Sequence, residues 1–124
     1  MRAFVTYTDR TGHDPVNDFL ARIPRKESDR VVRMLEKLAD VERLGMPYLK
    51  QFAGYPFWFG ELLIGDYRIF VHRLPARPGE ERYLLVHGFR KKSVETPRRE
   101  IALATRNVLD YYEQERENAA GAKG

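Results

Sequence analysis

Three features of the sequence predict an α+β fold. The first residues are strand formers. The segment from Asp14 to Leu44 carries two stretches of helical apolar period. Residues 57–89 hold three strand-like runs divided by turn signals, before one last helical stretch. The expected order is an N-terminal strand, a helical hairpin, an antiparallel sheet meander and a C-terminal helix. With 124 residues, 43% of them hydrophobic, the chain is long enough for one core. A single domain over 1–124 is expected, with a frayed tail from about residue 118.

Residues 2–8 are rich in aromatic and β-branched side chains and read as the first strand. Thr11-Gly12-His13 is a turn, and Asp14-Pro15 then opens a helix. Asp14 can cap it, and Pro15 suits the first helical position, where its missing N–H would have been unpaired anyway. Val16, Phe19, Leu20 and Ile23 form one apolar stripe, and Pro24 ends the helix. A second helix is expected from about Glu27 to Leu44, with Val31, Met34, Leu35, Leu38 and Val41 on its buried face. Gly45 suits its C-terminal cap, and Pro47 forbids continuation. The short link predicts that the two helices pack as a hairpin.

Tyr48 to Phe52 reads as an extended segment. Three strands follow, over Phe57–Ile64, Tyr67–Leu74 and Arg82–Phe89, with Gly65-Asp66 as a tight turn between the first two. Strict alternation puts Phe59, Glu61 and Leu63 on one face and Trp58, Leu62 and Ile64 on the other. It opposes Arg68, Phe70 and His72 to Tyr67, Ile69 and Val71. In the last strand it groups His87 and Phe89 with Tyr83 and Leu85, against Leu84 and Val86. Both faces are apolar, so the pattern does not say which one the helices cover. A sheet between the helical hairpin and the last helix accommodates it. Thr96-Pro97 starts that helix, and Ile101, Ala104, Val108 and Tyr111 continue its apolar stripe.

The formal charge is +4, and it is concentrated in the sheet region. Residues 47–99 carry ten basic and five acidic side chains. This distribution points to a polyanionic partner. The absence of cysteine removes disulfides and thiol chemistry and fits a reducing cytoplasm. There is no apolar signal region at the N-terminus, and the apolar runs are too short for a membrane span, so a cytoplasmic location is expected. His13, His72 and His87 lack metal-ligand spacing, no Gly-rich phosphate loop is present, and Ser28 and Ser93 sit in no nucleophile setting. No metal and no cofactor are expected.

The stretch His87-Gly88-Phe89-Arg90-Lys91-Lys92 ends a strand and begins a basic loop, a natural seat for phosphate. His87 is either a satisfied structural histidine or an acid–base group, and Lys91 and Lys92 are either solvated or phosphate-holding. Arg68, inside an apolar run, needs a partner. Glu61, across the hairpin, is the obvious one.

In these residues the chain resembles the RelE/ParE toxin superfamily, specifically its phage-derived HigB-like branch. The resemblance rests on Pro15-Val16-Asn17-Asp18-Phe19-Leu20, Pro47-Tyr48-Leu49-Lys50, Tyr67-Arg68-Ile69-Phe70, His87 to Lys92, Thr96-Pro97 and Glu100-Ile101, in that order. It covers roughly residues 4–112 and implies a RelE-like fold. The activity implied is that of an mRNA interferase: a metal-independent endoribonuclease that cuts mRNA, usually on the ribosome, through attack of the 2′-hydroxyl. The resemblance implies that Arg68 and Lys50 stabilise developing charge and that His87 is the acid or base. Lys91 and Lys92 then hold phosphates, and either lysine becomes a base if its pKa is lowered. It also implies a cognate helix-turn-helix antitoxin.

The chain departs from the family at one position. Where the family has Glu-Leu-Arg, this sequence has Glu61-Leu62-Leu63. A missing transition-state cation can cost on the order of a hundred- to a thousandfold in rate. Arg73 or Arg90 are the candidates to replace it and to bind RNA. Two alternatives follow from the departure: a catalytically degenerate RNA- or antitoxin-binding protein, and a gyrase-directed, ParE-like toxin.

Overall fold

A computed structural model describes residues 1–122. The observed order is β1 (Arg2–Thr6), α1 (Pro15–Arg22), α2 (Arg25–Asp40), β2 (Leu49–Phe52), β3 (Phe59–Ile64), β4 (Tyr67–Leu74), β5 (Glu81–Arg90) and α3 (Arg98–Ala122). This is the α+β, RelE-like arrangement expected from the sequence. The five strands form one sheet in the order β1-β5-β4-β3-β2. Strands β2 to β5 are antiparallel neighbours, and β1 lies parallel to β5. Gly65 makes the β3–β4 turn with φ +58°, a conformation that suits glycine.

The sheet separates two apolar layers. On one face Val16, Phe19 and Leu20 of α1 and Val31 and Leu38 of α2 are buried against Leu62, Ile64, Tyr67, Ile69, Val71, Tyr83 and Leu85. On the other, Ala104 and Val108 of α3 meet Phe59, Phe70, Leu74, Leu84, Val86 and Phe89. A Cβ on Gly88 would come within 2.7 Å of the Phe19 ring, so glycine there lets α1 lie close on β5.

Local chemistry explains the helix ends. Asp14 caps α1 as expected, its carboxylate accepting from the Asn17 N–H at 3.0 Å. Helix α2 stops at Asp40, short of the predicted Leu44. The cause is distant in sequence. The buried Arg2 guanidinium donates to the carbonyls of Leu38 (2.7 Å) and Val41 (2.8 Å) and holds Glu81 at 2.9 Å. An arginine from β1 thus supplies the C-terminal cap that Gly45 was expected to provide. Helix α3 continues to Ala122, past the point where the sequence places a frayed tail. Lys123 and Gly124 lie outside the described residues.

One expectation about the sheet is overturned. A β-bulge interrupts the β4–β5 ladder. His72 pairs with Leu84, Val71 with Leu85, and Phe70 with His87, so Val86 is the extra residue. Val86 therefore shares the α3 side with Leu84, and the residues after it are re-phased. His87 and Phe89 lie on the α3 face with Phe70 and Arg68, not with Tyr83 and Leu85 as strict alternation predicts.

Candidate functional site

The bulge completes a row of side chains across the sheet. Lys50 pairs with Glu61, Glu61 with Phe70, and Phe70 with His87. Four strands thus place Lys50, Glu61, Phe70 and His87 in line on the α3 face. Arg68 occupies the next row, opposite Leu63 on one side and Phe89 on the other.

An aromatic floor underlies the row. Phe59 and Phe70 are stacked with ring centroids 5.3 Å apart, and Phe70 and Phe89 are stacked at 5.6 Å. The His87 ring lies nearly parallel to Phe70 at 6.1 Å. Phe52 extends the floor beneath Lys50, whose ammonium is 5.6 Å from the ring centroid.

Glu61 is the most unusual group here. It is 1% exposed. Burial pushes its carboxyl above the ordinary carboxylate range, and Arg68, Lys91 and Lys50, in that order, pull it back down. Arg68 Nε stands 3.9 Å from Glu61 Oε1. The Thr96 hydroxyl, from the segment joining β5 to α3, lies over both carboxylate oxygens at 3.4 and 3.5 Å, long for an O–H···O bond.

Arg68 is held from its tip. Nη1 donates to the carbonyls of Gly65 (2.7 Å) and Tyr67 (2.9 Å), while the buried Nε makes no hydrogen bond among the described residues. A buried donor without an acceptor is unusual in a native protein, and it stands beside a carboxylate and two lysines.

His87 is oriented by Glu100 from the first turn of α3, whose carboxylate accepts from Nε2. The pair is largely enclosed, at 15% and 23% side-chain exposure. Nδ1 makes no hydrogen bond among the described residues and remains available. His72 contrasts with it. Its Nδ1 donates to the Trp58 carbonyl at 2.7 Å, and its Nε2 accepts from the Tyr112 hydroxyl at 2.5 Å. Burial lowers the pKa of His72, so it is a neutral, structural histidine.

The residues singled out in the sequence divide by face. Arg68, His87 and Lys50 converge on the α3 face. Lys91 is half-buried and close enough to Glu61 to lower its pKa, and Lys92 is exposed on the loop beyond. Arg73 and Arg90 are elsewhere. Arg73 pairs with Tyr83, and Arg90 pairs with Tyr67, both on the helical-hairpin face. Arg90 lies over the Tyr67 ring at 6.0 Å and near Asp66 at 3.8 Å. Neither reaches the space beside Leu63. Glu61 and Glu100 are the members of the site that the sequence reading did not assign to chemistry. A carboxylate at the centre of an apolar strand was the available signal for Glu61. Glu100 carried one only as part of the Glu100-Ile101 motif of the resemblance, which gave it no role.

Among the described residues, no group of three or more His, Asp or Glu side chains could hold a metal ion, and no helix is long and apolar enough to cross a membrane. No curated protein matches the chain. A family model described as phage derived protein Gp49-like (DUF891) matches residues 18–108, from within α1 to within α3. That match spans more than two thirds of the sequence and includes every strand that builds the site, and the chain therefore belongs to the Gp49-like family of phage-derived proteins.

Proposed function

We propose that this protein is the toxin of a type II toxin–antitoxin pair and acts as a metal-independent endoribonuclease on mRNA, engaged on the ribosome. The observation that carries the reading is the row Lys50–Glu61–Phe70–His87 with Arg68 and Lys91 beside it. It combines a carboxylate of raised pKa, an oriented imidazole and three cations over one aromatic floor. The family's association with RelE-like toxins supports it.

RNA carries its own nucleophile, so the chemistry asks little of the protein beyond positioning, two proton transfers and charge stabilisation. The Glu61 carboxylate takes the proton of the 2′-hydroxyl. The 2′-oxygen attacks the adjacent phosphorus, and the bond to the 5′-oxygen breaks. His87 gives a proton from Nδ1 to that leaving oxygen, with Glu100 fixing the ring through Nε2. The products are a 2′,3′-cyclic phosphate and a 5′-hydroxyl. Arg68 Nε, Lys50 and Lys91 face the non-bridging oxygens, where negative charge grows. Raising the pKa of Glu61 brings it nearer the working pH and makes it a better base. The Thr96 hydroxyl occupies the position over Glu61 that the 2′-hydroxyl would take, so the segment Lys91–Pro97 must yield to substrate.

The test is incubation of an mRNA with the purified protein, with and without translating ribosomes and with EDTA present, followed by mapping of new 5′ ends. Discrete cuts bearing 5′-hydroxyls are expected in the presence of ribosomes. Folded protein that cuts nothing under any condition overturns the reading. Leu63 favours a second one, a member that keeps antitoxin or RNA binding without cleavage. RNA affinity that falls steeply with salt while no cut forms is its signature.

A further inference from the structure

Strand β1 pairs with β5 only as far as Thr6 and Leu85, whereas β5 runs on to Arg90. A cleft of about 490 Å³ opens where the outer edge of β5 loses its neighbour. His87 and Gly88 form one wall, the β1–α1 loop and Arg22 a second, and α3 residues including Arg106 and Asn107 a third. The open carbonyl of Val86, at the bulge, is met by the Asn107 amide at 2.7 Å.

The carboxylates lining the cleft are already committed. Asp110 accepts from the Tyr7 hydroxyl, from Arg10 Nη1 (2.5 Å) and from Gln114 Nε2 (2.7 Å). Asp9 Oδ1 accepts from the Thr11 N–H, the Thr11 hydroxyl and the His13 N–H, which fixes the loop. Arg22 and Arg106 are different. Both are exposed, both line the cleft, and neither makes a hydrogen bond or ion pair among the described residues. Two guanidinium groups without anions thus flank a cavity that begins at the catalytic histidine.

We propose that this cleft is a nucleotide subsite on the 3′ side of the scissile bond, in which Arg22 and Arg106 hold the phosphate that follows the leaving nucleotide. The inference rests on the ribonuclease reading, because the roles of Glu61 and His87 set the polarity of the strand. The 2′-hydroxyl that meets Glu61 belongs to the nucleotide 5′ of the cut. The oxygen protonated by His87 belongs to the nucleotide 3′ of it. The RNA therefore crosses the sheet from β3 towards β5, and the first space beyond His87 is this cleft. Guanidinium groups suit the role, because they match phosphate oxygens in a two-pronged geometry.

The experiment uses the full chain and 2′-O-methyl RNA oligonucleotides, which cannot be cleaved, with binding followed by fluorescence anisotropy over a series of salt concentrations. The double variant Arg22→Ala/Arg106→Ala is compared with wild type and with Arg43→Ala, an exposed arginine beyond the end of α2. The double variant should bind an oligonucleotide extended on the 3′ side about tenfold more weakly. Its log–log salt slope should be shallower by about 0.7, the value for one phosphate of single-stranded RNA no longer neutralised. The difference should vanish when the oligonucleotide ends at the leaving nucleotide and persist when only the 5′ flank is shortened. The melting temperature should match wild type. An unchanged affinity and slope, a loss that follows the 5′ flank, or an equal loss in Arg43→Ala overturns the subsite and leaves the ribonuclease reading intact. Wild-type protein that neither binds nor cuts RNA overturns both.

Discussion

Arg68 Nε stands 3.9 Å from Glu61 Oε1, inside the sheet's α3 face, without a hydrogen bond between them. The two charges are near enough to stabilise each other, yet each keeps capacity for a substrate. Arg68 retains a donor, and Glu61 retains a raised affinity for a proton. A pair closed by a short, two-pronged bond would have spent both.

The pH dependence of cleavage should show this. Glu61 acts as a base only when ionised, so the rate should rise with pH through a limb displaced above the ordinary carboxylate range, because burial raises its pKa. Arg68 is the largest of the influences that lower it. Arg68→Ala should therefore move the limb to still higher pH, in addition to lowering the plateau on the order of a hundred- to a thousandfold. Glu61→Gln should abolish the limb. His87→Gln should cost about 10²- to 10⁴-fold while the limb remains. Variants that cleave as fast as wild type remove these residues from the mechanism.

Stability should move the other way in Glu61→Gln. The folded pKa of Glu61 lies above its unfolded value, so the folded state binds the extra proton in the window between them, and stability falls as pH rises through it. Below that window the carboxyl is neutral in both states and the glutamine variant should match wild type. Above it the variant should melt a few degrees higher. Thermal melts over a pH series from acid to alkaline give the comparison, and a variant less stable than wild type at the alkaline end contradicts it. A site residue whose removal stabilises the fold is the usual mark of function held against stability.

Leu63→Arg should raise cleavage. Leu63 lies directly opposite Arg68 and is half-buried at the edge of the site, whereas Arg73 and Arg90 are on the far side of the sheet and cannot stand in for it. A fourth cation there should increase the single-turnover rate by about tenfold or more. No increase, with the fold intact, shows that Arg68, Lys50 and Lys91 already suffice.

Arg2→Met should destabilise the fold without touching the site. It removes the donors that cap α2 at Leu38 and Val41 and releases Glu81, whose pKa is held down chiefly by its hydrogen bond from Arg2. A loss of about 1.5–3 kcal/mol in urea denaturation is expected. The wild-type advantage should shrink as pH falls through the lowered Glu81 pKa, where that carboxylate takes up its proton.

The element order and the faces of β3 and β4 were legible in the sequence, because Phe59–Ile64 and Tyr67–Leu74 each alternate without a bulge in their pairing. Arg68 was grouped with Phe70 and His72 for that reason, whereas the face of Lys50 was not read. The face of His87 was not legible. A bulge adds one residue without changing composition, and nothing in Leu84-Leu85-Val86-His87 marks which residue is the extra one. Arg73 and Arg90 misled in a related way. Counting charge along a strand ignores that half of it faces the other layer. The end of α2 was hidden because its cap comes from β1, and local signals such as Gly45 report only what a helix end could use. Glu61 could be found, but as a counter-ion. Its burial, which changes its chemistry, is a property of the closed sheet and of Thr96 above it.

The pairing of the first strand with the last also bears on how the protein is made. Among the described strands β1 has one hydrogen-bonded neighbour, β5, and β5 carries His87. A chain emerging from the ribosome therefore keeps β1 unpartnered until Glu81–Leu85 have been made. The imidazole and the closed sheet arrive together. A nascent or prematurely terminated copy lacking residues 81–90 has neither.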